Sequence, residues 1–291
     1  MDRHRRILTP FNANASVDMM PTPTPAPAPV PSLASADSAM GPAAAHHMDL
    51  LWRDAMKSQG AVQNEQFFRL ITGEAHPLGN VVIMRESDDA RVVAEAVAPL
   101  LEVSQPTAVL FVAGVADAVV DQLTAQGFAR LDAMPAMAVD IAALTPTTPA
   151  EGCELLRVNS AEDGTAWADV VADGFELARG LARMLSPEVL GASAAPDAPV
   201  QFFGIRRGGR LVATSMLYLS NGLAGIYCVA TLPAERGRGL GAHVTAEALR
   251  AAGRLGYGVG VLQSSAAGHS VYLGLGFRDF GSVPMFIRMP G

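Results

Sequence analysis

Residues 236–241 read Arg-Gly-Arg-Gly-Leu-Gly and sit between two segments of opposite character. Before them, Ala224 to Thr231 has the β-branched and aromatic content of a strand, and after them Ala242 to Ala252 repeats apolar residues at helical spacing. A glycine-rich turn between a strand and a helix constrains the chain strongly, because it presents backbone N–H groups and the positive end of a helix dipole to one point in space. Glycines are required there so that the backbone can turn tightly and approach an anion without a Cβ in the way. The segment predicts an anion cradle, typically for a phosphate.

The rest of the composition limits what such a cradle can serve. With 291 residues, half of them hydrophobic, the chain has material for two medium cores. Cys153 and Cys228 are its two cysteines and have neither disulfide-framework nor zinc spacing, so no metal is expected and a reducing, cytoplasmic setting is. The net charge of −7 argues against a protein that tracks a nucleic-acid backbone. No apolar run reaches the roughly 18 residues needed to span a bilayer; the nearest, Val92 to Val120, is broken by Glu95, Glu102, Gln105, Pro106 and Asp117. Arg3, Arg5 and Arg6 are followed by Thr9-Pro10 rather than an apolar core, so no secretory signal is expected.

Composition shifts suggest the domain organisation. Residues 1–47 contain a Pro-Thr and Pro-Ala run from Pro21 to Pro31 and read as a disordered tail. A second break, Thr145 to Gly152, reads as a linker (145–152) between folded segments 48–144 and 153–291. The first segment predicts a helix over 50–71, a strand at 81–84, a helix at 88–101, a strand at 107–112, a helix at 116–125 and a strand near 137–141. The second predicts a strand at 154–158, helices within 161–190, and strands at 200–205, 210–218 and 223–231 with Gly208-Gly209 and Asn221-Gly222 at the hairpin turns. The glycine loop, its helix, a strand at 259–263, a short helix at 269–275 and a final strand follow. That order gives an α/β fold with a mixed, partly parallel sheet flanked by helices.

The two segments also echo each other. Gly127-Phe128 precedes Pro135-Ala136-Met137, and Gly276-Phe277 precedes Pro284-Met285 at the same separation, each after a short helix. A duplicated architecture is expected. The copies differ where chemistry would be: no counterpart of the glycine loop follows the strand at 81–84, and Leu123 stands where the second copy has Tyr272. The first half is therefore expected to bind no phosphate.

Three phosphate-binding patterns compete for the loop. A P-loop fails because no Lys-Ser or Lys-Thr follows the glycines. Gly237, Gly239 and Ala242 satisfy a Rossmann fingerprint, but Pro233 to Arg236 delays the first glycine, and no acidic residue ends the next strand near Gln263. The third pattern fits. Thr231-Leu232-Pro233-Ala234-Glu235-Arg236-Gly237-Arg238-Gly239-Leu240-Gly241 resembles the acyl-CoA pyrophosphate loop of the GNAT superfamily of N-acetyltransferases. Val261 to Ser265, Tyr272 and Gly276-Phe277 resemble a second block of that family, in matching order and distance. Over residues 48–290 the chain is similar to bacterial tandem proteins in which a degenerate N-terminal GNAT domain precedes an active one. The residues that carry this are His76-Pro77-Leu78, Asn80, Met134 to Met137, Val212 to Ser215 and Ala224 to Tyr227, with Gly79 a departure where a bulky residue is common.

The resemblance implies acyl-CoA-dependent N-acyl transfer, with acetyl-CoA as co-substrate and a primary amine of a small molecule or protein as acceptor; a catalytically silent CoA-binding module is the alternative. No metal, nucleic acid or membrane is implied, and a homodimer is allowed. Arg236, Gly237, Arg238, Gly239, Leu240 and Gly241 are expected to hold the pyrophosphate, while Val229 and Thr231 lie on the strand that pairs with the pantetheine arm. Ser265 is expected to hydrogen-bond the cofactor. Tyr272 is expected to protonate the departing thiolate, a task suited to a phenol that stays protonated at neutral pH. His269, Asp173 and Glu176 are candidates for the general base, and Cys228 is expected in the core.

Overall fold

A computed structural model describes Leu33 and residues 37–57, 59–85, 89–148 and 151–290. Its first helix, α1 (Asp37–Ala55), is followed by the short strand β1 (Val62–Gln63) and by β2 (Phe67–Ile71), β3 (Asn80–Met84), α2 (Ala90–Leu101), β4 (Thr107–Phe111), α3 (Asp117–Ala125), β5 (Ala129–Arg130) and β6 (Met134–Asp140). Beyond the break at 145–152 come β7 (Cys153–Arg157), α4 (Ala161–Phe175), α5 (Arg179–Met184), α6 (Pro187–Leu190), β8 (Val200–Arg207), β9 (Arg210–Ser220) and β10 (Leu223–Thr231). The chain closes with α7 (Leu240–Arg254), β11 (Val259–Gln263), α8 (His269–Gly274), β12 (Arg278–Val283) and β13 (Met285–Arg288).

Two expectations near the start change. Of the tail read over 1–47, residues 1–32 and 34–36 lie outside the described residues, and 37–47 are helical. Met40 and Ala44 give those turns an apolar face that packs on Ala136, Ala138, Val259 and Val261. The helix read over 50–71 stops at Ala55, and Phe67–Ile71 is a strand. Asn64 drives the switch, its side-chain oxygen accepting from the backbone of Gln66 and Phe67 at 2.9 Å and turning the chain into β2.

The strands form two mixed sheets, ordered β1-β2-β3-β4-β13-β5 and β12-β6-β11-β10-β9-β8-β7. Each contains one parallel pair, β3 with β4 and β10 with β11, the latter joined through α7. Read from β5 and from β12, the two orders correspond strand for strand, and β7 is additional. The Gly-Phe steps match as well: Phe128 N–H donates to Leu123 and Phe277 N–H to Tyr272, both at 3.0 Å. This is a duplicated α/β fold.

Strand pairing crosses the break at 145–152. β6, from the first segment, lies between β11 and β12, while β13, the last strand of the chain, lies between β4 and β5. These are the corresponding strands at the echoed prolines, β6 containing Pro135 and β13 following Pro284, so the duplicated halves exchange one strand each. The break itself is docked on α7: Thr147 Oγ1 and His243 Nδ1 are 2.9 Å apart.

The exchange creates a shared interior. Phe68, Leu70, Val81, Ile83 and Leu110 from the first sheet and Phe202, Met216, Tyr218 and Ala230 from the second join one apolar cluster with Trp52 of α1 and Trp167 of α4. α2 and α3 cover the far face of the first sheet, and α7 covers the far face of the second. α1 is held to the first sheet by a buried ion group. Asp49, fully buried, receives Arg53 Nε at 2.8 Å and Arg85 Nε at 2.5 Å, and Arg53 also donates to the Asn64 carbonyl at 2.6 Å.

Removing one member of such a group leaves the others buried without compensation, which costs about 3–5 kcal/mol. Asp49→Ala is therefore expected to lower the unfolding free energy by roughly that amount. Urea denaturation followed by circular dichroism measures it; a loss below about 1 kcal/mol would mean that the ion group does not hold α1.

Candidate functional site

The second sheet opens at its centre. β10 and β11 pair in parallel only from Leu223↔Val259 to Gly225↔Val261, yet β10 runs on to Thr231 and β11 to Gln263. On its other edge β10 pairs with β9 through Tyr227↔Met216, then shifts register before Ala230↔Thr214. Of the two residues inside this bulge, Cys228 and Val229, Cys228 has φ +50°, in the left-handed region that a side chain with a Cβ rarely adopts. Tyr227, Cys228 and Val229 are consequently part-exposed although they lie on an inner strand. The corresponding pair in the first sheet stays joined from Val81↔Ala108 to Met84↔Phe111, the last residues of both strands.

The glycine loop closes the far end of this opening. Gly237 and Gly239 have φ +76° and +73°, and a Cβ at either would meet nothing within 4 Å. Glycine is thus needed there for backbone conformation, and the space beside it is free. Among the described residues, nothing accepts a hydrogen bond from the backbone N–H of Gly237, Arg238 or Gly239. Gly239 caps α7 without a side-chain bond, so the first N–H groups of that helix point the same way unsatisfied. Leu240 is buried beneath the loop. Val229 and Thr231 turn their side chains to Gly241, 3.7 and 3.6 Å from where its Cβ would be, which seats the helix start on the end of β10.

The two arginines act differently from the backbone. Arg236 donates to the carbonyl oxygens of Thr231 at 3.3 Å and Gly174 at 2.8 Å, tying the loop to the end of α4. Arg238 pairs with Glu235 at 3.2 Å, and Glu235 also accepts from Arg207 at 2.8 Å. Arg238 stays about half exposed at the loop.

On the other wall, α8 carries Tyr272. Its ring meets Phe277 edge-on at 5.7 Å, and among the described residues its hydroxyl has no hydrogen-bond partner. Burial pushes the phenol up to about 12. Ser265 lies at the start of the same turn, its Oγ accepting from Gly268 N–H at 3.2 Å, which leaves its hydroxyl proton to donate elsewhere.

The three base candidates are occupied or remote. His269 Nε2 is 3.0 Å from both carboxylate oxygens of Asp279 on β12. Asp173 pairs with Arg179 at 3.0 Å, and Arg179 also binds Asp169. Glu176 is exposed at the left-handed C-terminal cap of α4. Cys228 packs against the shared apolar cluster, as expected, with part of its surface exposed at the bulge, and burial of its thiol pushes that group up to about 12.

Sequence reasoning missed His47 and Tyr227. His47, on α1, contacts Tyr227 of β10 with Nδ1 2.8 Å from the phenol oxygen. The pair is 180 residues apart in the chain. No local pattern connects them, and His47 fell within the stretch read as a tail. A separate hollow lined by Leu156, Arg157, Gln201, Phe203 and Arg254 opens at the C-terminal end of α7, at the opposite end of that helix from the loop.

The split parallel pair beside the unsatisfied helix start leaves an opening between two strands in an α/β fold. Residues 172–277, from α4 through the Gly-Phe step, match the family model described as the acetyltransferase (GNAT) family. The chain thus carries a GNAT acetyltransferase domain, set within a duplicated GNAT fold. A GCN5-related N-acetyltransferase from Kribbella flavida is similar in structure, with a TM-score of 0.64 at 22% identity over 87% of this chain and 97% of that one. A GCN5-related N-acetyltransferase from Sphaerobacter thermophilus gives 0.55 at 13% identity over 85% and 93%. A conserved protein from Staphylococcus epidermidis gives 0.56 at 12% identity over 79% and 93%. At these identities the likeness concerns the fold. Among curated proteins, none is similar enough in sequence to match. Among the described residues no helix is long and apolar enough to cross a membrane.

Gly239→Asp would place a carboxylate in the free space beside the loop and a Cβ at φ +73°. We expect it to weaken CoA binding by at least a hundredfold, roughly the effect of losing about 3 kcal/mol. Calorimetric titration with CoA reads this directly, and an unchanged affinity would contradict the anion cradle.

Proposed function

We propose that the second unit transfers an acyl group, acetyl in the simplest case, from acyl-CoA to a primary amine of a small molecule or protein. The observation that carries this reading is the adjacency of the opened β10/β11 pair and the unsatisfied N–H groups of Gly237 to Gly239. The loop backbone from Gly237 to Gly241 would hold the pyrophosphate, helped by the α7 dipole and by the exposed Arg238. Arg236 would serve the site chiefly by fixing the loop to α4. Beyond Gly225, the unpaired edge of β10 at Val229 and Thr231 would take the pantetheine amide as a missing strand would. A main-chain N–H on that edge would polarise the thioester carbonyl.

The chemistry is direct attack of a neutral amine on the thioester carbon. Tyr272, protonated at neutral pH and with its hydroxyl free, would donate to the sulfur as the C–S bond breaks. Ser265 would add a hydrogen bond to the cofactor from the same wall. A silent binding module would have no use for a part-buried, uncommitted phenol at this position, which favours the enzyme.

Tyr272→Phe is expected to lower kcat about a hundredfold while acetyl-CoA affinity stays within twofold. The sign of the pH dependence follows from burial. The acid must be protonated to act and its pKa is raised to about 12, so the alkaline fall due to its ionisation lies there and not near 10. Free-thiol release during turnover with an amine panel measures both effects. Equal wild-type and mutant rates would remove Tyr272 from the mechanism.

A further inference from the structure

His47 and Tyr227 stand at the apex of the strand opening, where the β10/β11 ladder ends. His47 is 1% exposed, and its ring lies parallel to that of Tyr227, at 3° with centroids 6.1 Å apart. The pair needs the glycine at 225. A Cβ there would fall 2.4 Å from His47 Cε1 and 2.6 Å from the Tyr227 ring, so the imidazole occupies the volume that a β10 side chain would otherwise fill. Tyr218 adds an edge-on contact with His47 at 5.1 Å, and its own hydroxyl donates to Asp54 at 2.5 Å.

We infer that Tyr227, oriented by His47, accepts a hydrogen bond from the incoming amine and so aims its lone pair at the thioester carbon. The inference rests on the acyl-CoA reading above. Burial lowers His47 to about 4 and raises Tyr227, so at neutral pH both groups are uncharged. With Tyr227 protonated, its hydroxyl can donate to Nδ1, 2.8 Å away, when the neutral imidazole carries its proton on Nε2. The phenol proton is then committed to His47, and the oxygen lone pairs of Tyr227 are left for another donor. Tyr227 immediately precedes the bulged Cys228 and keeps part of its surface open although its phenol group is enclosed, so a donor that reaches it enters at the strand opening. An amine N–H is the donor that the proposed reaction brings there. His47 is thus a positioning residue, supplied to the second sheet by a helix that precedes the first.

The test compares wild type, Tyr227→Phe, His47→Leu and the double variant, using acetyl-CoA affinity by calorimetry and steady-state kinetics against an amine panel. Tyr227→Phe keeps the ring volume, which separates the result from folding. It is expected to lower kcat/KM for the amine about tenfold or more, with acetyl-CoA affinity unchanged. His47→Leu should do the same, and the double variant should be no worse than Tyr227→Phe alone, because His47 acts through Tyr227. An unchanged kcat/KM in Tyr227→Phe, or additive losses in the double variant, would overturn the inference while leaving the acyl-CoA reading intact. A wild-type protein that binds no acetyl-CoA, or acetylates no amine of the panel, would overturn both.

Discussion

Beyond Gly225 and Val261 the strands β10 and β11 stop sharing hydrogen bonds, and the bulge at Cys228 bends β10 just past that point. An inner strand is thereby given a free edge without becoming an edge strand of the sheet. Val229 and Thr231 lie on that edge, the glycine loop closes its far end, and α8 stands across from it with Tyr272. Each part of the site takes its position from this interruption of one parallel ladder.

The duplicated half provides an internal control for that argument. β3 and β4 are the counterparts of β10 and β11, yet their ladder runs to the last residues of both strands. No glycine loop follows β3. The same architecture therefore exists closed and open in one chain, and the difference lies in a bulge and a six-residue loop motif, Arg236 to Gly241. The exchange of β6 and β13 binds the halves into one interior, with α1 wedged between them through Asp49 on one side and His47 on the other. The closed half thus supports the open one, delivering a buried imidazole to the strand opening.

The legible part of this structure is local. The short apolar runs in 200–231, the turn glycines at 208–209 and 222, and the helical spacing after Gly241 place most elements of the second half, because each pattern reports its own backbone. The glycine loop was legible for the same reason. Phe67–Ile71 was misread because a short apolar run fits a buried helix turn as well as a strand, and Asn64 decided between them through two hydrogen bonds. The exchange of β6 and β13 was not legible, since echoed prolines mark equivalent strands without saying which sheet takes them. Nor was the left-handed Cys228, a residue type with no preference for that conformation. Nor was the part played by Arg236, expected among the residues that hold the pyrophosphate, whose bonds to the Thr231 and Gly174 carbonyls make it a brace.

The central claim is that the opened strand edge and the loop backbone together receive one extended acyl-CoA molecule. Amide hydrogen exchange, followed by mass spectrometry with and without acetyl-CoA, tests it most directly. The account predicts slowed exchange at the N–H groups of residues 229–231 and 237–242, with no change along β3 and β4. Unaltered exchange in both of those stretches at saturating acetyl-CoA, or protection confined to the first sheet, would contradict it.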